Sequence, residues 1–312
     1  MSESLPSGSK SWWARARESD ILYSFRRSWL AQISAVITIG FMLMALFAPW
    51  IAPYDPYDLT QINLMDSLTP PVWAEGGDPR FLLGTDDQGR DILSTIMYGA
   101  RISIFVGLAS VLFAGVLGVG LGLLSGYIGG AVDAIIMRLA DIQLTFPAIL
   151  IALLIDGIAR AIIGGDTTPF TAYAVLTLSI GLSFWVQYAR TVRGSTLVEK
   201  NKEYVQAARI IGRHPGAIMA RHVLPNVMGP VLVIGTINLA LAIILEATLS
   251  FLGVGAPVTE PSLGTLIRIG YNFLFSGEWW ITFFPGLTLA ILALAVNLLG
   301  DWLRDALNPK LR

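Results

Sequence analysis

Long apolar blocks without a charge, separated by polar stretches, set the pattern of this chain. From Ile102 to Val132 there are 31 uncharged residues. At about 1.5 Å of rise per residue, a helix of that length crosses the roughly 30 Å hydrocarbon core of a bilayer. Comparable blocks place spans at 29–51, 102–124, 134–155, 172–189, 227–249 and 281–299. The expected fold class is an all-α integral membrane protein with six transmembrane helices. The first block, 23 residues long, ends in Pro49-Trp50-Ile51-Ala52-Pro53 without a small-residue cleavage site. It reads as a retained anchor helix and not as a signal peptide.

The polar stretches divide the chain further. Residues 1–28 form a tail with Lys10, Arg15, Arg17, Arg26 and Arg27, in which 11–28 reads as a short interfacial helix. Residues 52–100 contain five prolines and eight acidic residues, an aqueous, loop-rich segment. The membrane domain then runs over 101–300 and includes a polar loop at 190–226, and 301–312 is a second tail. With the N-terminus inside, inner segments carry 15 Lys and Arg and outer segments 5. That bias places both termini in the cytoplasm.

Loop 190–226 is not loop-like. Neither Pro nor Gly interrupts Glu199 to Ile211, where Tyr204, Ala207, Ala208 and Ile211 form the apolar side of a short amphipathic helix. Gly212 stops it, and a second helix over 217–222 ends before Pro225. Such a helix-turn-helix suits docking onto another protein; a solvated linker lying on the headgroups fits the pattern equally. In the second span Ala114, Gly118, Gly122, Gly126 and Gly130 recur every four residues. Small residues on one face let helix backbones approach closely, so packing is the expected role. Arg138 and Asp141 lie in the third span at a spacing that lets them face each other, either as a helix end outside the hydrocarbon or as a buried functional pair. Glu246, near the outer end of the fifth span, is the other intramembrane acid.

Composition removes whole classes. Hydrophobic residues make up 54% and charged residues 14% of the 312 positions, where a soluble domain carries about 25% charged. Mean hydropathy is +0.64 and the pI about 6.1. With a net charge of −1 there is no basic excess for nucleic acid. The absence of cysteine excludes disulfides, thiolate catalysis and cysteine zinc sites. The two histidines, His214 and His222, lack metalloprotease spacing, and no triad can be assembled around them. No phosphate-binding Gly-x-x-x-x-Gly-Lys-Ser/Thr is present, so the chain has no ATP site of that kind and reads as a non-enzyme. Intramembrane polar groups are too sparse for an ion-coupled carrier, which points to a passage energised from elsewhere.

At loop 190–226 a resemblance enters. Glu203-Tyr-Val-Gln-Ala-Ala-Arg-Ile-Ile-Gly212 followed by Arg221-His-Val-Leu-Pro-Asn226 resembles the cytoplasmic "EAA" motif of bacterial ABC importer permeases. Gln206-Ala207-Ala208, Gly212 and Leu224-Pro225 match its spacing, whereas Gln206 stands where the motif has Glu and His222 where Ile is usual. Leu83–Asp91 with Tyr98–Arg101, Ala131–Asp141 with Pro147, Glu246–Gly255 and Asn297–Arg312 resemble, in order, the permeases of dipeptide and oligopeptide importers, C-type subunit. Pro70–Gly77 leans toward the dipeptide branch. The resemblance implies a type I ABC importer. In it a B-type permease partner completes the pathway, two ATPase subunits bind ATP and Mg, and an extracytoplasmic binding protein delivers a short peptide. No cofactor sits in this chain, and its remaining surroundings are lipid. The coupling contact to the ATPases implied in this way comprises Glu203, Tyr204, Gln206, Ala207, Ala208, Gly212, Leu224 and Pro225. A stand-alone secondary carrier is the alternative.

Overall fold

The computed structural model describes residues 20–58, 60–163 and 168–307. Most of the first tail, including Lys10, Arg15 and Arg17, and the end of the last motif lie outside the described residues. Every regular element among them is helical: α1 (Asp20–Arg27), α2 (Trp29–Ile51), α3 (Ile92–Ile128), α4 (Gly130–Leu144), α5 (Ala148–Ile163) and α6 (Pro169–Glu199). There follow α7 (Glu203–Ile210), α8 (Pro215–Ile218), α9 (Leu224–Phe251), α10 (Leu263–Tyr271) and α11 (Trp280–Leu307). Helix starts follow local chemistry. Ser28, Asp91, Thr168 and Ser262 each accept a backbone N–H of the first turn, and Pro169, Pro215 and Pro225 occupy first-turn positions where no N–H is needed.

Five helices are long and apolar enough to cross a membrane, and the bent pair α4–α5 makes six when taken as one span. The span expected at 134–155 is not one straight helix. α4 and α5 meet at 100° around Thr145-Phe146-Pro147, because a proline disfavours helical backbone at the residue before it. Topology requires the pair to return across the bundle. α3 and α6 run parallel: Gly181 lies against Ser110 and Phe113, Gly118 against Trp185, Gly122 against Ala189 and Gly126 against Thr196. The pair must therefore carry the chain from the Ile128 end of α3 back to the start of α6.

The α3–α6 seam is close-packed along several turns. A Cβ on Gly118 would lie 2.4 Å from the Trp185 carbonyl oxygen, on Gly122 2.5 Å from that of Ala189, and on Gly126 2.8 Å from Thr196 Cβ. Ala114 is fully buried. Gly130 departs from the stripe: nothing lies within 4 Å of its would-be Cβ. Gly129 and Gly130 have φ of 73° and 58° and turn the chain from α3 into α4. The expected i,i+3 pairing is also replaced. Asp141 pairs with Arg190 of α6, and Arg138 is exposed. The neighbouring Asp133 takes Arg193 at 2.5 and 2.7 Å and the Ser125 hydroxyl, tying α4 to both α6 and α3.

The long helices place the ends. Trp280, opening α11, donates its indole N–H to the Thr85 carbonyl at 3.1 Å, and Tyr54, after α2, bonds Ser94 at the start of α3. At the other end, the ring of Trp302 near the end of α11 meets that of Phe25 in α1, just before α2, at 5.1 Å. The described ends of the chain thus lie at one end of the bundle, and the 52–91 segment lies at the other. This segment is no loose loop. Arg80 bridges Asp66 and Asp78 at 2.8 Å each, and Arg90 and Asp86 form a buried pair at 2.6 Å. The Arg80 guanidinium holds the half-buried Asp78 carboxyl below the usual carboxylate range.

Candidate functional site

α7 lies at the end of the bundle opposite residues 52–91, between the ends of α6 and α9. α6 continues ten residues beyond the span expected at 172–189, stopping at Glu199 rather than within the apolar block. A turn over 200–202 leads into α7. Val205 and Ala208 point inward and join Ile218, Val223, Tyr188, Val192 and Leu249 in one buried cluster. Burying a side chain of Val or Ile size stabilises by about 1.5–3 kcal/mol, so α7 is anchored to the core of the bundle and does not lie on it as a linker. The opposite face is open: Ile210 is 86% and Ile211 79% exposed. Gly212, with φ of +79°, ends the helix in the left-handed region.

One phenol ties the elbow together. The Tyr204 hydroxyl donates to Glu199 at the end of α6 and accepts from Asn226 Nδ2 of α9 at 3.0 Å. Desolvation, and then the Glu199 carboxylate, push this phenol up to about 12, so it stays a donor at neutral pH. Arg209 stacks over the Tyr127 ring at 4.9 Å and so reaches the end of α3. The second helix of the elbow does not end before Pro225. From Pro215 a π turn over Met219–Val223 leads straight into α9. The wider turn removes the demand for the N–H that Pro225 lacks, so the chain passes through without a break.

Of the residues expected at a contact, Glu203, Gln206, Ala207, Gly212 and Pro225 are exposed, Tyr204 is 40% exposed and Leu224 is half-buried. Gln206 donates to the Lys200 carbonyl at 3.3 Å. Ala208 differs, being 6% exposed and packed beneath α7. Sequence reasoning passed over Ile210, Glu199 and Asn226 as members of this site, and it weighed Ile211 only as part of an apolar stripe. Two adjacent isoleucines immediately before the helix-ending glycine are the signal that was there to read.

Two further features lie in the bundle. Glu246 is fully buried beside Ser250, whose hydroxyl donates to Oε1 at 2.7 Å. Near the 52–91 end a cavity of about 700 Å³ is lined by Tyr57, Tyr98, Arg101, Tyr173 and Glu260, with Met42, Leu46 and Phe105 as its apolar wall. Burial, and then the Glu260 carboxylate, push the Tyr57 phenol up. An apolar groove continues along the same face of α3 past Leu112 and Val116 to Leu232 of α9, and the two share Leu108.

The geometry is that of a membrane bundle with one rigidly seated, outward-facing elbow. Residues 118–312 match the family described as the binding-protein-dependent transport system inner membrane component. The chain belongs to this family. It is a permease subunit of the ABC importer type, a multi-pass protein of the inner membrane, and importers of this type combine partner permease, ATPase and binding-protein subunits. Residues 17–71 of the permease match the N-terminal TM domain of oligopeptide transport permease C, covering α2 and the start of the 52–91 segment. The permease is 41% identical to the dipeptide transport system permease protein of Haemophilus influenzae, over 93% of this chain and 94% of that one. It is 38% identical to the oligopeptide transport system permease protein of Bacillus subtilis, over 94% and 90%. Its fold is shared with the inward-facing MetNI methionine ABC transporter at a TM-score of 0.53 and 20% identity, over 70% of this chain and 98% of that one.

Proposed function

We propose that this permease forms half of the translocation pathway for short peptides in a binding-protein-dependent importer, with both termini and α7 in the cytoplasm. A B-type permease supplies the other half. Two ATPase subunits bind ATP and Mg, and an extracytoplasmic binding protein delivers the peptide onto the 52–91 face. The observation that carries this reading is the exposed Ile210–Ile211 ridge on a helix whose other face is buried in the bundle core. Such a ridge gives a partner something to push, and its anchor gives the push somewhere to go. The peptide class rests on the relatives, whose names specify dipeptide and oligopeptide transport and which match nearly the whole chain.

Reconstitution tests it. In proteoliposomes, uptake of L-alanyl-L-alanine should require this chain, the second permease, both ATPases, the binding protein and Mg-ATP together. The purified chain alone should neither transport nor hydrolyse ATP. Uptake by the lone chain without ATP would replace this reading with a secondary carrier.

A further inference from the structure

The 700 Å³ cavity near the 52–91 end lies within the range of about 300–1,000 Å³ typical of small-ligand sites. Its polar lining holds one cation and one anion. Arg101 projects from α3 with an exposed side chain, and among the described residues no carboxylate lies within ion-pairing distance of it. Near this end Arg90 is engaged by Asp86 and Arg160 by Asp156; Arg268 of α10 makes no ion pair among the described residues, but it does not line the cavity. Glu260 is held in place by the Tyr173 hydroxyl, which donates to Oε2 at 3.0 Å, and it makes no ion pair among the described residues. Among the described residues the buried Tyr57 hydroxyl has no hydrogen-bond partner.

We propose that this cavity is the permease's own reception site for the peptide, with Arg101 receiving the C-terminal carboxylate and Glu260 the N-terminal ammonium. The inference rests on the peptide reading above and deepens it. A dipeptide is a zwitterion whose extended length is about 7 Å, small enough for the cavity, and its two charges match the two free charges of the wall. A planar guanidinium meets a carboxylate with two parallel hydrogen bonds, which makes Arg101 the specific end of the site. Side chains of any character then face Tyr57, Tyr98 and Tyr173, whose rings offer apolar area and whose hydroxyls offer hydrogen bonds. The cavity also opens into the apolar groove along α3 through their shared Leu108. A peptide released from Arg101 and Glu260 therefore meets no further charge on that face, and leaves the site in the direction of α7.

The test uses the complete importer in proteoliposomes, with L-alanyl-L-alanine and its N-acetyl derivative as probes. The binding protein's affinity for each probe is measured separately. Arg101→Gln and Glu260→Gln should each raise KM for L-alanyl-L-alanine about tenfold, the worth of one charge-assisted contact, and Arg101→Lys should recover part of the loss. Glu260→Gln keeps an acceptor for Tyr173, so its fold is protected. It should also lose the preference for the free amino terminus over the N-acetyl probe, which Arg101→Gln should retain. Unchanged KM in both variants, with wild-type uptake normal, overturns the site alone. So does an effect confined to stability in phosphatidylglycerol vesicles, which makes the cavity a lipid site. Absence of L-alanyl-L-alanine uptake by the wild-type complex overturns the peptide reading, and the site falls with it.

Discussion

At the scale of single residues, neighbouring positions in α7 have opposite roles. Ala207 is exposed, whereas Ala208 is packed against the bundle. Ala208→Asp places an unpaired charge in the buried cluster, which costs several kcal/mol. It should loosen the elbow itself, seen as faster proteolysis after Arg209. Ile211→Asp, on a side chain 79% exposed, should leave membrane yield and protease resistance as in wild type. It should lower co-purification of the ATPase subunits about tenfold or more, as loss of an interface hot spot does. Wild-type co-purification in Ile211→Asp would move the docking surface elsewhere. The same contrast holds within α3. A Cβ on Gly122 meets the Ala189 carbonyl oxygen at 2.5 Å, while Gly120 has nothing within 4 Å. Gly122→Ala should therefore destabilise by about 1–3 kcal/mol through overpacking. Gly120→Ala should be neutral or gain a few tenths to about 1 kcal/mol from helix propensity. Thermal midpoints in detergent check the pair, and equal shifts would mean that the seam does not set the packing.

At the scale of elements, the helices extend well past the apolar blocks that announce them. α3 begins at Ile92, ten residues before the expected span, because Asp91 caps it through the Ser94 amide and hydroxyl at 2.8 and 2.5 Å. α6 extends to Glu199 because Arg193 and Lys200 find partners in Asp133 and in the Gly126 carbonyl at 2.6 Å. Polar residues beyond a span thus prolong its helix instead of ending it. With this geometry the elbow and the 52–91 segment face opposite sides of a membrane. The native chain contains no cysteine, so single cysteines report cleanly. Met65→Cys should be labelled by an impermeant maleimide added outside, and Asn201→Cys only after the membrane is permeabilised. Outside labelling at 201 would invert the bundle.

At the scale of the whole molecule, one buried cluster runs from Val106 of α3 through Tyr188 of α6 to Val205 of α7 and Val223 before α9. Displacement of α7 has no slack layer to absorb it, since close-packed interiors transmit strain. The elbow is tied to three helices at once: to α6 and α9 through Tyr204, and to α3 through Arg209 over Tyr127. Tyr204→Phe removes two of those ties and leaves the ring. It should leave complex assembly intact and weaken stimulation of ATP hydrolysis by loaded binding protein, so that less uptake follows per ATP. Unaltered coupling in Tyr204→Phe would mean that packing by Val205 and Ala208 suffices.

The sequence by itself determined the membrane class, the number of crossings, the asymmetry of basic residues and the place of the elbow. Each of these depends on local quantities: length of an apolar block, charge per loop, a glycine after a helical stretch. The tertiary structure decided which side of α7 is free, because Ala207 and Ala208 differ only in what packs over them. It decided the partner of Asp141, since a pairing 49 residues away outcompetes the one three residues away. It also decided that α4 and α5 are one crossing broken at Pro147. The cavity was beyond sequence reading for the same reason. Tyr57, Arg101, Tyr173 and Glu260 come from four separate stretches of chain, and only folding brings their charges and hydroxyls around one space.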